Sequence, residues 1–258
     1  MSRIGVVILR EWRENLRQRW LVGTLALQLG LIALGARQVL QMIDRLAAIP
    51  EADVKLQYWS DLLGVPMTLD GITAFAFQGL NYLVLTQLLG MTAVIAGHAA
   101  LHDRQCGTLP FLLLSPVHRG ELLVGKVLGA LSLPLAVYLV VGGGAIGWAS
   151  TLPIAASQAG TLPPSPAWLI AFLLGAPAWA TAIGAMCVGI SSLAADVRTA
   201  QQAAWVLVFF ASFVVGPLLV NLMAAGAVVQ LVVAVAGAGV AGVSLLVATH
   251  IVGRELGR

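Results

Sequence analysis

Three side chains that could bind a metal lie at helical spacing near the middle of the chain. His98, His102 and Cys106 are each four residues apart, so on a helix they would share one face. Imidazole and thiolate are common zinc ligands, but a closed structural site needs four of them. No fourth ligand is in view, so we interpret the histidines as a pair at an interface and predict no metal site, with metal or haem ligation as the alternative.

A second stretch nearly spells a phosphate-binding loop. Residues 120–127 read Gly-Glu-Leu-Leu-Val-Gly-Lys-Val, against the pattern G-x-x-x-x-G-K-[ST]. Val127 stands where the pattern needs a hydroxyl for Mg²⁺, and an apolar run follows where a soluble helix is expected. We therefore predict no ATP site and no cofactor in this chain.

Four polar residues interrupt apolar runs. Arg37 and Gln41 lie four residues apart, and Gln78 and Asn81 share a helical face. A charge at membrane depth is costly unless it reaches the headgroups or faces a wet cavity. Arg37 therefore either snorkels or lines a substrate path with Gln41. Gln78 and Asn81 either hold helices together or contribute to the same candidate path.

The composition shows which elements carry these residues. The chain is 59% hydrophobic and only 10% charged, whereas a soluble domain has about 25% charged residues. We predict an all-α, polytopic membrane protein, since such a chain cannot build a water-facing surface. The six predicted transmembrane helices are residues 21–43, 72–97, 127–150, 167–190, 203–224 and 227–252.

The predicted spans contain little that could do chemistry. No Asp or Glu lies within them, and neither Gly-x-Ser-x-Gly nor His-Glu-x-x-His occurs. This argues against an intramembrane enzyme and against an ion-coupled secondary transporter. The net charge of +3, without a basic patch interleaved with aromatics, does not indicate nucleic-acid binding. Cys106 and Cys187 both fall near the inner side, so no structural disulfide is expected.

The distribution of basic residues predicts the topology. Six spans place both termini on one side, and eleven of the fourteen Lys and Arg residues fall on that side. By the positive-inside rule that side is the cytoplasm of a cell inner (plasma) membrane. The loop 98–126 is then cytoplasmic. The eleven residues are Arg3, Arg10, Arg13, Arg17, Arg19, Arg104, Arg119, Lys126, Arg198, Arg254 and Arg258.

Residues 1–20 are predicted to form an amphipathic helix in the membrane interface. One helical face is apolar and arginines occupy most of the rest. The helix is either a topology anchor or a lever between the spans and a cytoplasmic partner. We treat it as separate from the six-span domain, residues 21–258. Its apolar residues are Ile4, Val7, Ile8, Trp12, Leu16 and Trp20.

The cytoplasmic loop has the pattern of a short docking helix. Gly107 permits a turn, and Thr108 can cap a helix whose first turn tolerates Pro110. Residues 111–114 are apolar, and Ser115-Pro116 stops the helix. A short apolar helix between charged turns suits a groove in a partner protein. Lys126 marks the return to lipid.

The same loop resembles the loop between the second and third spans of ATP-binding-cassette permeases of the type-two exporter class. The family pattern runs from an acidic-basic pair through Gly-Thr-Leu, paired leucines and Ser/Thr-Pro to a basic residue and Gly-Lys. Pro110 stands where the family usually has Glu, which removes the basis for a salt bridge there. The matching residues are Asp103, Arg104, Gly107, Thr108, Leu109, Leu112, Leu113, Ser115, Pro116, Arg119, Gly125 and Lys126.

The resemblance implies a membrane subunit of an exporter without catalytic residues of its own. ATP and Mg²⁺ would bind a separate ATP-binding-cassette subunit, which the loop residues would contact. One copy offers half a pathway, so the resemblance also implies a homodimer or a heterodimer with a related permease in the lipid bilayer. The alternative function is a membrane scaffold of the same fold that transports nothing.

Overall fold

The computed structural model describes residues 3–17, 69–107, 119–149, 165–221 and 226–255, and single positions between 23 and 61. These residues form helices, with no β-strand among them. The helices are α1 (Arg3–Arg17), α2 (Leu69–Gln105), α3 (Arg119–Ala149), α4 (Pro166–Ile170), a π-helical turn (Ala171–Gly175), α5 (Ala176–Leu193), α6 (Val197–Asn221) and α7 (Ala227–Glu255).

Within the described part of the chain, five segments are long and apolar enough to cross a membrane. They lie within α2, α3, α4 to α5, α6 and α7, and each overlaps one predicted span. This confirms a helical, multi-span chain. The predicted span 21–43 is described only at scattered positions, so the count of six stays a prediction. The five segments are Tyr82–Ala99, Gly120–Gly144, Pro166–Leu193, Val197–Val214 and Ala227–Ile251.

Helix α5 lies at the centre of the bundle and packs against α2, α3, α6 and α7. Its small residues allow close approach, as is usual between helices in lipid. A Cβ at Gly184 would lie 3.1 Å from Thr92 Cγ2, and one at Gly189 would lie 3.4 Å from the Ala248 Cβ. The close contacts hold the spans in one packed unit, and the core includes the fully buried Leu88 and Leu89 of α2.

The fourth span begins with a π-helical turn between α4 and α5. Pro177 has no N–H to donate to the carbonyl four residues earlier, which favours the wider turn ahead of it. Beside the turn, Phe172 stacks between Tyr138 and Trp168, with ring centroids 4.4 and 4.6 Å away. This stack joins the π-helical turn to α3.

The connection between α5 and α6 is shorter than residues 191–202, which separate the fourth and fifth predicted spans. Helix α5 continues to Leu193, and α6 already begins at Val197. The Asp196 carboxylate accepts a 2.7 Å hydrogen bond from the Thr199 N–H, which caps α6 and lowers the pKa of Asp196. This cap was not identified from the sequence, and the fifth predicted span, residues 203–224, begins six residues after the helix does. At the end of α2, Gly107 has the positive φ of +67° expected of a turn.

Candidate functional site

A buried cluster of charges joins α1, α2 and α3. The Lys126 ammonium donates to Glu11 Oε1 at 3.0 Å, to the Ala99 carbonyl at 2.8 Å, and contacts the Asp103 carboxylate directly. Arg10 pairs with Asp103 Oδ1 at 2.9 Å. Lys126, Asp103 and Glu11 are 4%, 1% and 6% exposed, so water contributes little to their solvation. We call Arg10, Glu11, Asp103 and Lys126 the ion clamp.

Two glycines of α3 allow α1 to approach the clamp. A Cβ at Gly125 would lie 2.7 Å from Val7 Cγ1, and one at Gly129 would lie 2.7 Å from Glu11 Cβ. Both separations are below van der Waals contact, so only glycine fits at these positions without movement of α1. The glycines flank Lys126 on α3, and their missing side chains bring Glu11 within reach of the ammonium.

Helix α1 divides into three faces. The inner face carries the buried Glu11 and Asn15 and the half-buried Val7 against α3. A second face exposes apolar side chains, and a third exposes Arg13 and Arg17. The second face carries Leu9, Trp12 and Leu16, and the exposed Val6 lies between the two arginines. One acid of the helix therefore faces the bundle, and the amphipathic helix in the membrane interface stays a prediction.

Burial dominates the electrostatics of Glu11. Loss of solvent raises the pKa of its carboxyl above the ordinary 4.5, although the ion pair with Lys126 opposes the shift. Buried ion pairs add little net stability, because desolvation offsets attraction, but removal of one partner leaves an uncompensated charge. The clamp therefore fixes how α1 packs on α2 and α3, and loss of one member destabilises the charge that remains.

The clamp lies at the base of the predicted docking loop. Asp103 precedes residues 108–118 near the end of α2, and Lys126 follows them near the start of α3. Thus two of the residues predicted to couple to a partner meet each other inside the protein. Arg104 and Arg119 are helical, but their side chains lie outside the described residues. The predicted residues Thr108, Leu109, Leu112, Leu113, Ser115 and Pro116 also lie outside them.

The candidate substrate-path residues are not brought together by the described contacts. Arg37 is exposed and Gln41 is half-buried, both in helical conformation. Gln78 and Asn81 lie on α2, but their side chains are outside the described residues. The path assignment therefore stays a prediction.

A groove that the sequence did not indicate runs between α2 and α6. Tyr82 donates a 3.2 Å hydrogen bond to the Ser212 carbonyl at its floor. One wall is aromatic, with Phe209, Phe210 and Phe213 each about 60% exposed and packed on one another. Trp205 extends this wall, and Thr86 lines the opposite side. An apolar or aromatic group could enter this groove from the side of the bundle.

The two chemical motifs of the sequence have structural roles in the described residues. Residues 120–127 lie inside the continuous helix α3, which cannot wrap a phosphate as a loop does, and Lys126 is engaged by the clamp. His98 Nε2 lies 2.6 Å from the Gln201 amide nitrogen, and this hydrogen bond joins α2 to α6.

The sequence held a signal for the clamp that we missed. Glu11 lies one helical turn after Val7, on the inner face of α1 and away from the exposed arginines. An acid among apolar residues indicates a buried cationic partner. Gly125 and Gly129 form a G-x-x-x-G pair around Lys126, which indicates where another helix approaches.

The comparison with protein families bears on the whole bundle. Residues 6–249 match the family described as ABC-2 family transporter protein, a range that includes the clamp, the loop, four candidate spans and all but the last two residues of the fifth. No curated protein matches the chain, and no solved structure does.

Proposed function

This chain belongs to the ABC-2 transporter family, and from that premise we propose that it is the permease subunit of an exporter driven by a separate ATP-binding subunit. Its place as a membrane transport component follows from the family and the five apolar helices. The partner binds ATP and Mg²⁺. The observation that carries the coupling proposal is the ion clamp, which ties α1 to both helices that flank the loop.

The loop residues contact the ATP-binding subunit, and the clamp transmits the movement. Leu109, Leu112 and Leu113 supply the apolar surface that docks. Asp103 and Lys126 are buried, so they do not contact the partner themselves. They act by fixing the positions of α2 and α3, whose ends flank the loop. When the partner closes on ATP, force on the loop moves the ends of α2 and α3 together with α1, because the clamp resists their separation.

The proposed topology has six spans with both termini in the cytoplasm of the inner membrane. Residues 21–43 provide the first span, and residues 1–20 form the interfacial helix ahead of the domain 21–258. The loop then faces the ATP-binding subunit, with transport directed outward. The excess of basic residues on the proposed inner side supports this arrangement.

Two permease copies form the pathway, either identical or related. Only 22% of the α6 span is buried, against 72% of the α2 span, so α6 has the larger surface for a second copy and the cargo. We assign the aromatic groove of α2 and α6 to this pathway. Arg37, Gln41, Gln78 and Asn81 are its candidate polar residues. An apolar or amphipathic cargo fits this lining.

The coupling proposal is tested by Leu112→Asp together with Leu113→Asp. The double variant is expected in the membrane at normal levels but without the co-purifying ATP-binding subunit, because two charges cannot enter an apolar groove. Leu193→Asp is the matched control, since Leu193 is 57% exposed at the inner end of α5, outside the loop. Normal complex formation and transport in the loop variant would refute docking. A wild-type chain that co-purifies with other membrane proteins would favour the scaffold.

A further inference from the structure

The exposed arginines of α1 have no acidic partner in the described structure. Arg13 and Arg17 are both exposed, and neither makes an ion pair with another described residue. The acids of α1 are engaged elsewhere, because Glu11 binds Lys126 and Glu14 binds Arg10 at 2.9 Å. Among the residues that the structure describes, no acid therefore pairs with the positive charge of this face.

An apolar strip runs beside these arginines. Leu9, Trp12 and Leu16 are 42%, 38% and 49% exposed on the neighbouring face. Such a strip inserts at the boundary between headgroups and acyl chains, and a tryptophan ring settles at that depth. Arginines next to the strip then lie at the level of the lipid phosphates.

We propose that α1 binds anionic phospholipid headgroups through Arg13 and Arg17, and so selects anionic over zwitterionic lipid at this position. Guanidinium groups pair with phosphate in a bidentate manner, and each basic residue near an anionic surface strengthens binding. An acidic protein surface would match the charge as well, but it would leave the apolar strip without an apolar counterpart. This proposal goes beyond the exporter function and does not depend on it.

The position of the arginines links the lipid to the ion clamp. Arg13 lies one turn from Arg10, a distance of about 5 Å along the helix axis, and Arg10 holds Asp103. A headgroup bound at Arg13 and Arg17 fixes the rotation of α1 about its axis. The lipid thus favours the orientation in which Glu11 faces Lys126.

The test uses the full chain in nanodiscs with phospholipids brominated on their acyl chains. Bromine quenches tryptophan fluorescence at short range. Each chain is measured with and without the Trp12→Phe substitution, and the difference between the two fluorescence signals is the contribution of Trp12. Brominated phosphatidylglycerol in a phosphatidylcholine background is compared with brominated phosphatidylcholine at the same mole fraction. Local enrichment of the anionic lipid is expected to make its quenching clearly the stronger.

The Arg13→Gln, Arg17→Gln double variant should remove this preference. The expected contribution is roughly fivefold in lipid affinity per arginine, or about 25-fold for the pair, in low salt. Arg198→Gln, an exposed arginine in the first turn of α6, is the control and should keep the preference. Equal quenching by both lipids in the wild-type chain, or a preference that survives in the double variant, would overturn the proposal. No quenching at Trp12 would also overturn it, and would indicate that a protein covers this face.

Discussion

Replacement of Lys126 by Met tests whether the ion clamp is an interdependent unit. Methionine keeps the length and apolar stem of lysine but removes the charge. Glu11 then loses the cation with which it forms a direct ion pair, whereas Asp103 keeps Arg10 at 2.9 Å. The consequence should therefore fall mainly on Glu11, which is 6% exposed.

The size of the loss follows from the fate of that carboxylate. Removal of one partner from a buried pair costs about 3–5 kcal/mol. Protonation of Glu11 limits this cost, since bringing a carboxyl of ordinary pKa 4.5 to its neutral form at pH 7 costs about 3.4 kcal/mol, at about 1.36 kcal/mol per pH unit. We expect a loss of about 3 kcal/mol at pH 7. At pH 5 the same limit falls to about 0.7 kcal/mol.

The sign of the pH dependence is fixed by the direction of the shift. Burial raises the pKa of Glu11, so the stability from this group is present below pH 4.5 and is lost as the pH rises through the folded pKa. The Met variant raises that pKa further, because the opposing cation is gone. Its deficit relative to the wild-type chain should therefore shrink as the pH falls from 7 to 5.

Thermal unfolding in nanodiscs at pH 7 and pH 5 measures the loss of stability of Lys126→Met relative to the wild-type chain. A loss of about 3 kcal/mol corresponds to a fall of about 6–12 °C in melting temperature for a chain of this size. Glu11→Gln combined with Lys126→Met should recover most of it at pH 7, because no ionised Glu11 remains buried. An equal deficit at pH 7 and pH 5, or a double variant less stable than Lys126→Met, would refute the reasoning.

Two glycine substitutions test the close contacts. Gly125→Ala should push α1 away from α3 and lower the free energy of unfolding by about 1–3 kcal/mol. Gly120→Ala is the control and should not, because its Cβ would enter open space. Protease cleavage of α1 should be faster in the Gly125 variant, and equal cleavage of both variants would contradict the prediction. Gly142→Ala should lower the melting temperature, because its Cβ would fall within 2.0 Å of the Phe172 ring, and Gly143→Ala is the open-space control. Equal melting temperatures for these two variants would show that the ring moves freely.

The sequence was a good guide to the helices and a poor one to their contacts. Spans are predicted from apolar runs, which depend only on local composition. Five predicted spans therefore overlap helices of the structure. The predicted span 203–224 begins after the start of α6, because the hydropathy signal begins after the capping residue Asp196. Caps depend on one side chain and one N–H, which a composition average does not detect.

The clamp lay beyond the sequence reading for a different reason. Asp103 and Lys126 were singled out by family resemblance, but their meeting with Glu11 depends on how three helices pack. Lys126 was interpreted as the point where the chain returns to lipid, and its burial among α1, α2 and α3 was not predicted. The aromatic groove could not be predicted either, because phenylalanines in a predicted span are interpreted as lipid-facing. Only the packing of α6 against α2 shows that they line a groove.

Native mass spectrometry of the tagged chain, purified gently from its native membrane, tests the central claim most directly. The account predicts two permease copies, identical or paired with a related permease, together with two copies of an ATP-binding subunit. That complex should hydrolyse added ATP in the presence of Mg²⁺. A chain that emerges alone, or with membrane proteins that bind no ATP, would contradict the assignment as an exporter subunit.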